Sequence, residues 1–284
     1  MKEVFLPRTL EELWDILEKN PGAAIYAGGT DLLVKTRAEV IDPPCFVCLE
    51  RIEALRGVQD RGVEVFIGPA TTLSRLLEEP LIQEQFPILA KSVSLLASPP
   101  IRHMGTIGGN IVTASPAGDT LPALYVLGAE VEVGAGGRSR RLLLGSFIRG
   151  PGTVDLKSGE VLTGVWLEKA PCWNVHHYEK IGRRKAQACA IASMAAVLEV
   201  SEVGRIEKAR LAWGSVGPTV VSCASAEQSM IGRDLCLETL RSAVKHIEGA
   251  VSPIDDIRAS ADYRRTVAGA LLLRLVEYSR GEPT

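Results

Sequence analysis

The segment from Thr106 to Asp119 combines residue types that can bind both an anion and the hydroxyl groups of a ligand. It opens with Thr-Ile-Gly-Gly-Asn and ends in an aspartate. Adjacent glycines allow a ligand to approach the backbone closely and can direct N–H groups towards an anion. The Thr106 hydroxyl and the Asn110 amide can donate to phosphate oxygens, whereas the Asp119 carboxylate only accepts, for example from a sugar hydroxyl.

A second glycine pair, Gly28-Gly29, lies far upstream in the sequence Ala-Ile-Tyr-Ala-Gly-Gly-Thr-Asp-Leu of residues 24–32. It follows an apolar run typical of a strand and precedes a run that can begin a helix. A single glycine pair is more typical of a tight turn. Two pairs with polar neighbours favour a long, phosphate-bearing ligand that is held at several points.

The composition is that of an ordinary globular protein. The chain has 284 residues, 46% of them hydrophobic, which is enough for about two domains with their own cores. A net charge of −2 argues against a nucleic-acid partner. No apolar stretch is long enough for a membrane span or a signal peptide, and six scattered cysteines indicate a reducing compartment. We therefore expect a cytoplasmic protein with no membrane span.

The hydrophobic pattern predicts an α+β fold whose character changes near residue 170. Thr9 and Glu12 are typical of a capping box before a first helix. The region 73–97 is predicted to be helical with breaks near its prolines, and 121–127 to be a short helix. Strands are predicted at 23–27, 46–49, 63–67, 129–133, 141–144 and 160–167. After residue 170 the pattern predicts a strand at 175–181, a hairpin of 190–200 and 206–213, and helices at 224–231, 235–247 and 263–278.

The two glycine motifs together resemble those of the FAD-binding subunits of the xanthine dehydrogenase family, the molybdenum hydroxylases. The matching residues are Ala27-Gly28-Gly29-Thr30-Asp31, Thr106–Asn110, and Ser115-Pro116 followed by Asp119. The resemblance implies a PCMH-type FAD-binding domain over 1–170, in two lobes of about 1–53 and 54–170 with FAD extended between them. It implies a C-terminal domain of antiparallel strands and helices over 171–284. The missing Gly-x-Gly-x-x-Gly agrees with a fold other than the Rossmann fold.

The resemblance also implies which residues bind FAD. These are Ile25, Tyr26, Ala27, Gly28, Gly29, Thr30, Asp31, Leu32, Leu96, Thr106, Ile107, Gly108, Gly109, Asn110, Asp119, Leu162 and Lys180. The backbone N–H groups of Gly28, Gly29, Thr30, Gly108 and Gly109 are expected to donate to the pyrophosphate. Asp119 is expected to accept from ribityl or ribose hydroxyls, and Lys180 to lie near the flavin ring. Leu96 and Leu162, each taken alone, are more typical of core residues.

Other reactive side chains receive no role in the chemistry. His103 precedes the second motif, but electron transfer through a flavin needs no protein base, so a structural or solvent role is favoured. His176 and His177 alternate on a strand and cannot both ligate one metal. Cys45 and Cys48 have no second Cys-x-x-Cys to complete a zinc site, which favours small buried fillers. We predict no catalytic residue, no metal and no iron–sulfur cluster in this chain.

The resemblance implies an electron-transfer subunit. Substrate is hydroxylated on a molybdopterin-binding large subunit, and electrons pass through 2Fe-2S clusters on a small subunit to FAD here, then to NAD+ or another acceptor. A stand-alone PCMH-type reductase or oxidase is the alternative, although no serine or glutamate proton donor is recognisable. A third possibility is a dinucleotide-binding module without activity. The identities of the substrate and the acceptor do not follow from the sequence.

Overall fold

The computed structural model describes residues 2–170, 172–184 and 187–280, which form a mixture of helices and strands. The strands are β1 (Glu3–Phe5), β2 (Ala24–Tyr26), β3 (Cys45–Cys48), β4 (Val58–Asp60), β5 (Glu64–Ile67), β6 (Glu130–Ala135), β7 (Arg138–Leu143), β8 (Ile148–Gly150), β9 (Thr153–Val154), β10 (Val161–Glu168), β11 (Val175–Ile181), β12 (Ala192–Val200), β13 (Ile206–Gly214) and β14 (Val221–Ser222).

The α-helices are α1 (Leu10–Lys19), α2 (Leu32–Arg37), α3 (Leu73–Glu78), α4 (Pro80–Gln85), α5 (Pro87–Ser94), α6 (Pro99–Met104), α7 (Ile107–Thr113), α8 (Thr120–Val126), α9 (Leu144–Phe147), α10 (Ala224–Met230), α11 (Leu237–Ala250) and α12 (Ala261–Leu273). Two 3-10 helices among the described residues cover Glu53–Leu55 and Arg274–Arg280. Among these described helices, none has the length and apolar character needed to cross a bilayer.

The chain forms two compact units, and neither is continuous in sequence. Unit 1 comprises 2–81, Ser98–Ala114 and Ala129–Glu168. Unit 2 comprises Ile82–Ala97, Ser115–Gly128 and the described residues from 169 onwards. Two segments that precede residue 170 thus pack with the C-terminal third. The sequence-domain boundaries near residues 53 and 170 stay a prediction.

Unit 1 contains a small parallel sheet in the order β1-β3-β2 and an antiparallel sheet in the order β4-β5-β10-β6-β7. The predicted start of α1 is confirmed, because the Glu12 N–H donates to the Thr9 hydroxyl at 3.2 Å. Leu13 and Leu17 of this helix are buried in a core with Val47 of β3. Strand β2 of the parallel sheet ends just before the first glycine pair.

The second glycine motif forms a helix, although adjacent glycines are more typical of a turn. Thr106 is the N-cap of α7, and its hydroxyl accepts from the Gly109 N–H. Ile107 and Ile111 lie one turn apart and are both fully buried. Capping and burial therefore outweigh the low helix propensity of two adjacent glycines.

Unit 2 contains an antiparallel sheet in the order β11-β12-β13-β14. The predicted hairpin is confirmed, since β12 and β13 pair along their length. Consecutive residues from Ala192 to Leu198 are buried, so both faces of β12 are covered. Helices α8 and α12 both pack against β12. The predicted single helix at 263–278 instead changes to a 3-10 helix after Leu273.

A buried arginine links three segments of unit 2 through hydrogen bonds and an ion pair. The Arg264 guanidinium on α12 donates to the carbonyl oxygens of Ile191 at 2.6 Å and Ser215 at 3.1 Å, and it pairs with Asp256 at 2.6 Å. Because only 3% of Arg264 is exposed, these partners replace water for a charge that would otherwise be costly to bury.

Replacing Arg264 with Met should lower the free energy of unfolding by about 3 kcal/mol, because two buried carbonyl groups and a carboxylate lose their donor. Urea unfolding of the full chain measures this change. Arg265→Met is the matched control, since Arg265 pairs with the fully solvated Asp262 and its loss should cost less than about 0.5 kcal/mol. Equal effects of the two substitutions would show that the guanidinium does not hold these segments together.

Candidate cofactor-binding site

The first glycine motif is a partly exposed turn between β2 and α2 in unit 1. Gly29 has a φ of +68°, in the left-handed region that glycine adopts without strain. The N–H groups of Gly28, Gly29 and Thr30 make no backbone hydrogen bond within the described chain. Three consecutive amides are therefore without a backbone partner, and their contact with an anion stays a prediction.

The first motif lies directly against the residues that precede the second. A Cβ atom at Gly28 would lie 1.7 Å from the Met104 carbonyl oxygen, so no side chain fits there. The Asp31 carboxylate accepts from the Thr113 hydroxyl at 3.1 Å and pairs with Lys35 at 2.7 Å. Unit 1 thus brings the two motifs together, and Asp31 links the first motif to the end of α7.

The second motif uses its own N–H groups internally. The Gly108 N–H donates to the Pro69 carbonyl oxygen at 2.9 Å, and the Gly109 N–H donates to the Thr106 hydroxyl at 3.1 Å. The expectation that these two amides face a phosphate is therefore not met, because capping of α7 engages them. A cofactor contact from Thr106–Asn110 would instead use the exposed edge of Gly109 or the half-buried Asn110.

The predicted residues Asp119 and Lys180 form one buried ion pair in unit 2. Lys180 Nζ lies 2.8 Å from Asp119 Oδ2 and donates to the Leu95 carbonyl oxygen at 2.7 Å. Both charged side chains are only 8% exposed. Leu96 follows Leu95 directly, so unit 2 brings these three predicted residues together. Lys180 is held by these partners and is not an isolated cation.

The environment of Asp119 opposes its charge. Burial raises the pKa of Asp119 to about 6, although Lys180 acts in the opposite direction. Asp119 Oδ1 is buried and makes no well-aligned hydrogen bond among the described residues, although the Tyr178 hydroxyl faces the same carboxylate and lowers its pKa. Since a buried acceptor without a well-aligned donor is costly, Oδ1 is suited to a donor on a ligand.

The other residues of unit 1 that are predicted to contact FAD lie in its hydrophobic core or beside it. Leu162 on β10 is 3% exposed and pairs across the sheet with Val133. Ile25 and Ala27 pack against the core beneath the first motif. The Tyr26 ring meets Phe46 edge-on, with centroids 6.1 Å apart. Cofactor contacts of these residues stay predictions.

The histidines and the cysteine pair lie where the sequence argument places them. His103 is exposed, and Cys45 and Cys48 are buried in β3. His177 is buried beside Tyr278, and burial lowers its pKa to about 4. Within residues 2–170, 172–184 and 187–280, no three His, Cys, Asp or Glu side chains are grouped as metal ligands would be.

Residues 1–167 match the family model of the FAD-binding domain in molybdopterin dehydrogenases. The chain belongs to the FAD-binding subunits of the molybdenum hydroxylases. Residues 176–279 of this FAD subunit match the C-terminal domain of the carbon monoxide dehydrogenase flavoprotein. The predicted family, its flavin cofactor and the α+β fold are thereby confirmed.

Similar proteins extend over nearly the whole FAD subunit. The carbon monoxide dehydrogenase medium chain of Afipia carboxidovorans is 30% identical over 96% of this chain and 95% of its own. The xanthine dehydrogenase FAD-binding subunit of Escherichia coli O157:H7 is 30% identical over 90% of this chain and 88% of its own. A structure of reconstituted carbon monoxide dehydrogenase from Oligotropha carboxidovorans has a TM-score of 0.94 and 28% identity, covering 100% of this chain and 99% of its own.

Replacing Gly28 with Ala should lower the free energy of unfolding by about 2–3 kcal/mol or more, because the new methyl group overlaps the Met104 carbonyl. Thermal or urea unfolding of the full chain measures the loss. Gly150→Ala in the same unit is the control, since nothing lies within 4 Å of a Cβ there. If the two substitutions were equally tolerated, the close approach of the motifs would be wrong.

Asp119 should make folding depend on pH. Its pKa is about 6 in the folded chain against 3.8 ordinarily, so its contribution to stability is fully present below pH 4 and is lost as the pH rises to about 6. The loss is on the order of 2–3 kcal/mol. Urea unfolding at pH 4 and pH 7 should show this component in the wild type and in Asp262→Asn, but not in Asp119→Asn. An unchanged pH dependence in Asp119→Asn contradicts the assignment.

Proposed function

We propose that this chain is the electron-transfer subunit of a multi-subunit molybdenum hydroxylase. A molybdopterin-binding large subunit would hydroxylate the substrate, and a small subunit with 2Fe-2S clusters would deliver the electrons to this chain. NAD+ or another acceptor would receive them. Support comes from relatives that are themselves named medium chains or FAD-binding subunits and that match this chain along most of its length.

The amides of the first motif carry the part of the proposal that concerns FAD binding. Three neighbouring N–H groups without backbone partners belong to Gly28, Gly29 and Thr30. Gly28 itself has no room for a side chain. Such an arrangement suits the two negative charges of a pyrophosphate. The buried Asp119 carboxylate, whose Oδ1 makes no well-aligned hydrogen bond, independently suits a sugar or ribityl hydroxyl. The residues present therefore fit FAD.

Each set of residues has a separate task in this proposal. Ile25–Leu32 would bind the pyrophosphate and its neighbours, with further contacts from Thr106–Asn110. Asp119 would accept from a hydroxyl while Lys180 keeps its carboxylate oriented. Leu96 and Leu162 would exclude water with apolar surface. Bound FAD would supply the redox chemistry, so no protein base is required.

Replacing Lys180 with Met should weaken FAD binding about tenfold or more, because Asp119 then loses the partner that orients it. Fluorescence titration of the purified chain with FAD measures the dissociation constant. Lys208→Met is the matched control, since Lys208 pairs with Glu199 at a largely exposed position. Equal dissociation constants for FAD in the two variants would show that Lys180 does not contribute to the site.

The division of labour has its own test. The chain purified alone should bind FAD and show absorption bands at about 370 and 450 nm, yet should not oxidise a purine or carbon monoxide. A tagged chain isolated from its native cells should carry two further subunits, with molybdopterin and iron–sulfur clusters. Turnover of substrate by the isolated chain would favour a stand-alone oxidase or reductase instead. Absence of the flavin bands after reconstitution would overturn the proposal.

A further inference from the structure

The Asp31 side chain, at the start of α2, does not cap the helix that it precedes. Asp31 is the N-cap of α2, and aspartate is among the residues that best fill this position. The N-cap side chains of α1, α3, α7 and α12 each accept a hydrogen bond from their own helix, whereas the Asp31 carboxylate makes no such bond. A stabilising local contact is thus absent, and the carboxylate is engaged elsewhere.

Thr113, at the end of α7, also departs from the usual pattern. Helical threonines commonly donate to the carbonyl oxygen four residues earlier, and Thr36 and Thr266 both do so. Thr113 instead donates to Asp31 Oδ2 at 3.1 Å, across 82 residues of sequence. One side chain beside each glycine motif therefore leaves its own helix to bind the other.

Both ends of this contact are held in place. Lys35 Nζ lies 2.7 Å from the same Asp31 oxygen, but both side chains are 46% exposed, so the ion pair alone is worth little. Thr113 adds a directional bond from a second helix. That helix ends at Ala114, which has a φ of +45° and whose carbonyl oxygen accepts from the Gly152 N–H at 3.1 Å.

The position of Asp31 governs the amides of the first motif. Asp31 directly follows Thr30, and a planar peptide unit joins the two, so a shift of Asp31 turns the end of the motif. Neighbouring amides bind an anion only while their N–H groups converge on it. A carboxylate free to turn towards the same anion would also repel it. The bond from Thr113 opposes both changes.

We propose that Thr113 is a positioning residue for the FAD pyrophosphate, which acts through Asp31 by fixing the first glycine motif against α7. This inference rests on the proposed function, in which the amides of Gly28, Gly29 and Thr30 bind the pyrophosphate. Thr113 does not itself contact the cofactor. Its hydroxyl orients Asp31, and Asp31 orients the turn that donates to the phosphate oxygens.

Thr113→Val removes the hydroxyl donor and keeps the size of the side chain. We expect the dissociation constant for FAD to rise about tenfold, because Asp31 loses one of its two donors. Thr113→Ser keeps the donor and should bind FAD within about twofold of the wild type. Fluorescence titration of the purified chain measures all three constants.

Thr266→Val is the matched control, since it removes a helical threonine hydroxyl that donates within its own helix in unit 2. It should change the dissociation constant for FAD less than about twofold. Urea unfolding without FAD checks that each variant folds, and Thr113→Ala, which removes the same donor, takes the place of Thr113→Val if that variant does not.

A double-mutant cycle separates positioning from direct contact. Asp31→Ala removes the acceptor, so in that background Thr113→Val should weaken FAD binding less than about twofold further. A tenfold loss in both backgrounds would show that Thr113 touches FAD or acts on the whole fold, and would overturn the inference.

Two other results would also overturn the inference. One is a dissociation constant for Thr113→Val equal to that of Thr266→Val, and the other is a Thr113→Ser variant that binds as weakly as Thr113→Val. All of these results leave FAD binding by the wild type intact, so the proposed function stands. A wild-type chain that binds no FAD would overturn the proposed function and the inference together.

Discussion

The close approach of the Gly28 backbone to the Met104 carbonyl oxygen is the constraint on which unit 1 depends. No side chain fits between them, so the chain can bring its two glycine motifs together only with glycine at this position. The N–H groups of the first motif make no backbone hydrogen bond within the described chain, whereas the Gly108 N–H donates to the Pro69 carbonyl oxygen and the Gly109 N–H to the Thr106 hydroxyl. The two Gly-Gly pairs therefore have different uses. The first leaves N–H donors without backbone partners, and the second lets the chain pack closely.

Unit 2 depends on electrostatics more than on backbone fit. Asp119 and Lys180 are removed from water together, and burial acts more strongly on the carboxyl group than the neighbouring ammonium does. A buried ion pair of this kind is weak evidence for stability. Its value lies in orientation, because a carboxylate held at one oxygen presents the other in a fixed direction. Binding sites commonly sacrifice stability for such fixed geometry.

The sequence predicted the parts of the fold that are specified locally. The cap at Thr9, the helix breaks near Pro80 and Pro87, and the hairpin of β12 and β13 all follow from residues close together in the chain. Short strands such as β1 and β4 were missed, because three residues acquire strand geometry only from distant partners. The helix after Thr106 was missed because burial of two isoleucines overrides glycine propensity.

Prediction of the site from the sequence is limited in the same way, to features that neighbouring residues specify. The turn at the first motif could be predicted, since neighbouring residues set its conformation. The Asp119–Lys180 pair spans 61 residues, and no local pattern links the two. Folding brings such groups together through packing that one sequence does not reveal.

The interleaved order of the two units has a consequence for biosynthesis. Helices α5 and α8 belong to unit 2, yet the strands on which they pack are made much later, at residues 175–214. A growing chain must carry these helices with their apolar faces uncovered until the sheet emerges from the ribosome. Nascent protein of this architecture is accordingly exposed to aggregation at a late stage of translation, when chaperones would be most needed.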